Sequence, residues 1–391
     1  MKKKKTFEKK AMVRYTGYNP EQEESSMALP INQQLTKVRI RGFKSIKNQE
    51  ISFNRVNVLI GSNGAGKSNF ISVFAFLEEI LKKRLGLYSA QRSAESLLYC
   101  GRKHTESISM EFVFGNENSY GFDLVPTDDG RLIFSREYYG YCTTHTAITA
   151  DVHSESVWEQ GVPNNITPYV LPILKKNSWR VYHFNDTSPD AKIKQTCDIV
   201  NSAFLQNNAG NLAGFLYYLK AQFPSSYRKI VDHVQLVAPY FGDFFLEPQE
   251  FNGEQIRLRW TEQSRDSILN ASQFSDGTLR FICLATLLLQ PDELRPATII
   301  IDEPEIGLHP YAVTVFSEMI RQASTTSQIL LSTQSADLLN YFDPEDVLVV
   351  NRDGEGTELS RLNEEELHVW LEDYSLGELW QKNIFGGRLA R

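Results

Sequence analysis

Apolar and polar positions change rhythm several times along the chain, and each rhythm predicts an element. Thr36–Phe43 and Glu50–Phe53 alternate as paired strands do, and Asn57–Ile60 is a short apolar run of the kind that forms a buried strand. From Asn69 to Lys83 the spacing becomes helical, with Phe70, Val73, Phe74, Leu77, Ile80 and Leu81 on related faces. Ile108–Phe114, Tyr120–Val125 and Leu132–Tyr139, separated by Asn, Gly and Asp turns, predict a β meander. A more polar stretch with helical character runs to about residue 235, interrupted by a strand at Trp179–Phe184, and Ile256–Trp260 is a further strand candidate. After Ser272 strands and helices alternate: helix Leu279–Leu289, strand Thr298–Ile301, helix Tyr311–Ala323, and strands Ile329–Ser332 and Val347–Val350.

Composition narrows the class. The 391 residues allow two or three domains, and 41% apolar with 23% charged residues is ordinary for a globular protein. The longest nearly apolar run, Phe281–Leu289, has nine residues. A membrane helix needs roughly 20. The start, MKKKKTFEKK, is cationic without an apolar stretch after it and does not read as a secretory signal. Cys100, Cys142, Cys197 and Cys283 form no CxxC pair, which argues against zinc and redox motifs and fits a reducing cytoplasm. The net charge of −7 is uneven. Residues 1–50 carry 12 Lys/Arg against 5 Asp/Glu, and the remainder 29 against 43. A chain acidic over most of its length is not an obvious DNA binder, though local basic faces remain open. The Lys2–Lys5 run reads as a solvated, disordered leader.

The chemistry is carried by two motifs. Gly61-Ser62-Asn63-Gly64-Ala65-Gly66-Lys67-Ser68 matches G-x-x-x-x-G-K-S (Walker A), after a predicted strand and before a predicted helix that opens at Asn69. Its glycines let backbone N–H groups surround phosphates at a helix N-terminus. Lys67 is expected to reach the β- and γ-phosphates of ATP, and Ser68 to coordinate Mg²⁺. The apolar strand Thr298–Ile301 ends in Asp302 and Glu303 (Walker B). In a P-loop protein Asp302 supports the metal ion and Glu303 polarises the attacking water. Lys67 and Asp302 lie 235 positions apart, so a large segment is inserted between the halves of the core. Phe274-Ser-Asp-Gly-Thr278 sets a second anion-ready turn at the start of a helix, which a simple N-cap would also explain.

At these residues the chain resembles a known superfamily. Ser275-Asp276-Gly277 is similar to the signature turn of ABC ATPases. Asp302-Glu-Pro-Glu-Ile-Gly-Leu-His-Pro310 resembles the DEPExGLHP block of SMC, RecF and OLD-like ATPases, and Ile40-Arg-Gly-Phe-Lys-Ser-Ile46 the first strand and turn of that group. With Trp179–Ser188, Ser275–Pro291, Ser332–Ser335 and Trp370–Trp380, the likeness to bacterial AAA family ATPases of RecF/OLD type covers residues 36–391. It implies an α/β P-loop NTPase of ABC/SMC-head type: a split core with an antiparallel β meander and an inserted, mostly helical lobe. The expected boundaries are a basic leader at 1–35, the first half of the head at 36–150, the lobe at 151–265 and the second half at 266–391.

The resemblance also implies a homodimer sandwiching two ATP molecules. Ser275, Asp276 and Gly277 would then contact the partner's nucleotide, with His309 facing it. Gln334 occupies the switch position where relatives often carry His, and a side-chain amide cannot carry a proton, so hydrolysis is expected to be slow. Family members resemble the ATPase subunits of anti-phage systems of Septu and PARIS type. This implies a separately encoded effector, a nuclease for instance. A RecF-like DNA-repair factor is the alternative, and the GLHP block disfavours a transporter subunit. Only 57 residues follow Gln334, too few for an appended Toprim nuclease, and no sustained heptads point to long coiled-coil arms. Tyr138, Tyr139, Tyr141, Tyr217 and Tyr218 read as core aromatics, with base stacking the alternative. Gln91 as a Q-loop residue and His183 with Asp186 near the nucleotide are further candidates, and Glu364–Glu366 reads as a solvated helix face.

Overall fold

A computed structural model of the chain describes residues 34–160, 167–175, 179–200, 202–354 and 356–386. The expected leader lies outside the described residues as far as residue 33. In chain order the N-terminal run is β1 (Leu35–Phe43), β2 (Ile46–Ser52), β3 (Val56–Ile60), α1 (Lys67–Leu81), α2 (Leu85–Arg92), α3 (Ala94–Leu97), β4 (Ile108–Phe114), β5 (Asn118–Pro126), β6 (Leu132–Tyr141), β7 (Thr144–Ala147), α4 (Thr167–Lys175) and β8 (Trp179–Tyr182). The middle holds β9 (Thr196–Asp198), α5 (Leu212–Gln222), α6 (Pro224–Val237), β10 (Phe241–Phe245), β11 (Pro248–Gln249), β12 (Asn252–Arg257), β13 (Arg259–Glu262) and β14 (Arg265–Asn270). The C-terminal run is α7 (Asp276–Leu289), β15 (Thr298–Asp302), α8 (Pro310–Ala323), β16 (Gln328–Thr333), α9 (Ala336–Leu339), β17 (Val347–Asp353), β18 (Gly356–Arg361), α10 (Glu364–Leu371) and α11 (Leu376–Gln381).

Two compact units share this chain. The first takes described residues up to 181, together with 296–303 and those from 324 onward; the second takes 182–295 and 304–323. In the first unit, β1 to β7 build an antiparallel sheet of order β2-β1-β4-β5-β6-β7, and a mixed sheet runs β18-β17-β3-β16-β15-β8. β15, β16, β3 and β17 are parallel, and β18 closes that edge antiparallel. The strands of the parallel layer are mostly apolar, as burial on both faces requires: all five residues of β3 and all six of β16 are buried, Asn57, Gln328, Ser332 and Thr333 being the polar exceptions. Helix α1 supplies the common core. Its Phe70, Val73, Phe74 and Leu77 join one buried cluster that also contains Phe43 and Phe112 of the meander and Leu59, Ile300 and Leu330 of the parallel layer. Phe74 meets Phe112 edge-on, with ring centroids 6.3 Å apart.

The second unit combines helices α5 to α8 with two three-stranded antiparallel sheets, β10-β13-β14 and β11-β12-β9. The nine-residue apolar run proves to be most of α7, which is buried continuously from Leu279 to Leu289. A helix apolar on every side belongs inside a protein. Two details differ from the sequence pattern. The strand candidate Ile256–Trp260 is split at Leu258 between β12 and β13, which lie in different sheets. The strand beginning at Trp179 stops at Tyr182, and most of residues 183–211 run as turns rather than helix. Turn-forming side chains account for this: Asp186 Oδ1 accepts from the Ser188 backbone N–H at 3.1 Å, and Asn211 Oδ1 from Gln206 N–H at 2.9 Å. Among the described residues no helix is long and apolar enough to cross a membrane.

Candidate functional site

Parallel register sets one edge of the mixed sheet. Thr333 of β16 pairs with Ile60, the last residue of β3, and Ser332 pairs with Asp302, the last residue of β15. The phosphate loop, the two acids and Gln334 therefore all leave the sheet at the carboxyl ends of adjacent strands, where α/β folds place ligand sites. The loop itself is shaped by its glycines. Gly66 has φ +117°, and a Cβ there would run into the Thr357 side chain, while Gly64 sits at φ +80°. Thr357 Oγ1 donates to Ala65 O at 2.9 Å, so β18 braces the loop from behind. Helix α1 begins at Lys67 without a side-chain cap, which leaves its first-turn N–H groups suited to an anion. Lys67 is buried, and its Nζ donates to Gly61 O at 2.7 Å and Ser62 O at 3.2 Å, inside the curl of the loop. The Ser68 side chain is exposed.

At the end of β15 the chain turns sharply. Glu303 takes φ +47°, a left-handed backbone that costs a non-glycine residue roughly 1 kcal/mol. Its N–H is held by Ser332 O at 3.1 Å and Ser332 Oγ at 3.1 Å. The same hydroxyl donates to Asp302 Oδ1, and the Gln334 side-chain amide donates to Glu303 Oε1. Asp302, Glu303 and Gln334 are half-buried, and Ser332 is fully buried. Ser68 and Asp302 offer hard oxygen donors of the kind Mg²⁺ takes, and α1, which carries Ser68, packs against β15.

Beside α1 a cavity of about 780 Å³ is lined by Lys44, Ser45, Asn69, Tyr99, Cys100 and Arg352, among others; among the described lining residues the charged side chains are Lys44 and Arg352. The turn between β1 and β2 is tied to α1 here: Lys44 Nζ donates to Ser72 Oγ at 2.7 Å and Asn69 Nδ2 to Ser45 Oγ at 2.7 Å. Burial, with a smaller contribution from the Arg92 guanidinium, pulls the Lys44 ammonium down to about 8. Lys44, Arg352 and Thr357 are functional-site neighbours that motif reading passed over. The lysine was visible in the Ile40–Ile46 block. The other two come from β17 and β18, whose approach to the loop is a long-range pairing with no local sequence signal.

In the second unit, Ser275 caps α7, its Oγ accepting from Thr278 N–H at 3.1 Å. A Cβ on Gly277 would run into Gly307 O, so the turn lies directly against the loop that leads to His309. Arg280 ties them further, donating to Ile306 O in that loop, to Phe184 O at 3.1 Å and to Asn185 O at 3.2 Å. Asp276 and His309 are exposed, and His309 Nδ1 accepts from Tyr311 N–H at 3.3 Å. The arrangement brings Ser275, Gly277 and the His309 loop together.

Residues 56–340 match the family described as "AAA domain, putative AbiEii toxin, Type IV TA system". The chain belongs to this AAA family. Among curated relatives, the Old nuclease of Escherichia phage P2 is 24% identical over 365 residues, 83% of this chain; the chain spans 60% of that relative's length. Solved structures share the fold. An Smc head bound to the C-winged helix domain of ScpA superposes with a TM-score of 0.58 at 15% identity, covering 86% of this chain and 99% of that one. The Smc head domain with an extended coiled coil bound to the C-terminal domain of ScpA, from Pyrococcus furiosus, gives 0.56 at 14% identity, covering 87% and 98%. The fold is thus that of an SMC-type P-loop head.

The weaker candidates fall elsewhere. Gln91 is an exposed residue of α2. His183 is exposed in the second unit, and Asp186 is an exposed turn carboxylate held below the usual range by the Ser188 hydroxyl and N–H. Tyr138, Tyr139 and Tyr218 are buried, Tyr217 is half-buried and Tyr141 is 51% exposed, so packing accounts for the first three. Glu364–Glu366 form an exposed first turn of α10.

Proposed function

We propose that this AAA-family chain binds and hydrolyses ATP as an ABC/SMC-like dimer, and that its nucleotide state governs a separately encoded effector, a nuclease, in anti-phage defence. The observation that carries the ATPase reading is the common strand edge. The phosphate loop after Ile60, the acids Asp302 and Glu303 and the amide of Gln334 are all delivered there by register alone. Gly61 to Asn69 cradle the phosphates, with Lys67 moving from its loop carbonyls to the β- and γ-phosphates. Ser68 and Asp302 would hold Mg²⁺, which neutralises developing phosphate charge. Glu303 takes the proton of the attacking water, and Gln334 orients Glu303. The cationic cavity at Lys44 and Arg352 draws in the anionic phosphate side of ATP. Ser275, Asp276, Gly277 and His309 serve the partner's nucleotide across a twofold interface.

The effector reading draws support from kinship to a phage protein named as a nuclease, of which this chain spans only part. Its test is co-purification of the chain with the product of the neighbouring gene, with and without ATP. ATP-dependent, salt-sensitive DNA binding by the chain alone would instead favour a repair factor. For the ATPase, Glu303→Gln should bind ATP and accumulate a dimer visible by size exclusion, with turnover down at least about a hundredfold. Lys67→Ala should lose nucleotide binding in calorimetry. A Glu303→Gln protein that turns over at the wild-type rate removes Glu303 from the role of base.

A further inference from the structure

We infer that Ser332 is a positioning residue for both acids of the site, one hydroxyl setting the carboxylate that faces the metal ion and the backbone that carries the base. The inference rests on the ATPase reading above and gives Ser332, within the Ser332–Ser335 stretch, a role that sequence reading did not assign. Three observations carry it. Register places Ser332 directly opposite Asp302 on the neighbouring parallel strand. Its side chain is fully buried, so the hydroxyl cannot spend its hydrogen on bulk water. And its bonds are divided: the single O–H hydrogen goes to Asp302 Oδ1, while the lone pairs accept from Glu303 N–H at 3.1 Å.

The division matters because a serine hydroxyl has one proton to give and can accept as well. Giving it to Asp302 fixes the plane of that carboxylate, the usual task of a group that orients a metal ligand. Accepting from Glu303 N–H stabilises a backbone at φ +47° that is otherwise unfavourable. Ser332 O shares that load at 3.1 Å, and two residues further on the Gln334 amide holds the far end of Glu303 at Oε1. Ser332 and Gln334 thus grip Glu303 at both ends, and Ser332 also reaches Asp302. A buried alanine in its place leaves the main-chain bond from Glu303 N–H to residue 332 intact and removes only the hydroxyl's two bonds, so the fold should persist.

The test compares nucleotide affinity by calorimetry in Mg²⁺ and in EDTA, alongside kcat and KM. Ser332→Ala should bind ATP in EDTA as the wild type does, lose about tenfold or more of the affinity gained from Mg²⁺, and lose about 10–100-fold in kcat. Ser332→Thr, which retains the hydroxyl, should recover both. Ser332→Cys, close in volume but a weak donor, carries the same expectation as alanine should the alanine protein not fold. A wild-type Mg²⁺ gain and kcat in Ser332→Ala overturn the inference. Asp302→Asn separates the two levels. If it abolishes the Mg²⁺ gain while Ser332→Ala does not, only the role of Ser332 falls; if neither changes it, the metal reading of Asp302 falls and the inference with it.

Discussion

At the residue scale the most exposed conflict is that of Lys44. Burial and Arg92 bring its ammonium down to about 8, so the folded chain holds that proton less tightly than an unfolded one does. A lowered lysine makes the folded state bind fewer protons than the unfolded state between about 8 and the ordinary 10.5, and stability therefore rises as pH climbs through that window. Near neutrality the charge is a cost to the fold. A cavity that Lys44 shares with Arg352 supplies a reason to keep it, because an anionic ligand restores the lost solvation. Two outcomes follow for Lys44→Met. Its melting temperature at pH 7 should equal or exceed that of the wild type, while ATP affinity falls. Wild-type ATP affinity should decline as pH rises through about 8, with the decline flattened in Lys44→Met. A wild-type affinity that stays level from pH 7 to 9.5 would remove Lys44 from the ligand's path.

At the scale of elements, glycines decide what the strand and helix ends can do. Gly277 touches Gly307 O, leaving no room for a side chain between the signature turn and the loop before His309. Gly277→Ala should push the two apart at a cost of about 1–3 kcal/mol, read as a lower melting temperature. Its ATP binding should survive, because the phosphate loop is elsewhere in the chain, and its turnover should be lost. Inside α1, Phe74→Ala should cost about 3–5 kcal/mol in denaturant unfolding, since it empties the centre of the cluster between the two sheets. Much at this scale was legible. The spacing from Phe70 to Leu81 gave α1, alternation gave the meander, and the run ending at Asp302 gave β15. Residues 183–211 were not, because their local Asx and turn bonds compete with helix formation without leaving a periodic trace. Nor was the pairing of Ser332 with Asp302, which depends on register between strands 30 positions apart and not on any motif.

At the scale of the whole molecule, the described chain crosses four times between two compact units, so that Asp302 and Glu303 belong to one and His309 to the other although six positions separate Glu303 from His309. Sequence reading could pair the motifs by type and not by unit, because long-range contacts decide which segments share a core. The proposed twofold assembly gives this division a purpose that can be measured by mixing chains. In a sandwich, each ATP meets Lys67 of one copy and Gly277 of the other. Lys67→Ala and Gly277→Ala proteins should each be inactive alone. A mixed dimer places both lesions in one composite site and leaves the other composite site whole. Equal mixing with free exchange makes half the dimers mixed, each with one good site of two, so activity should return to about a quarter of the wild-type value per chain. The recovered activity should scale with the square of protein concentration when dimers are dilute, and it should vanish when Glu303→Gln is added to the Gly277→Ala chain, which supplies the intact Lys67. An inactive mixture in which native mass spectrometry finds mixed dimers would exclude independent composite sites. If Gly277→Ala alone turned over ATP at the wild-type rate, the signature turn would have no part in the chemistry.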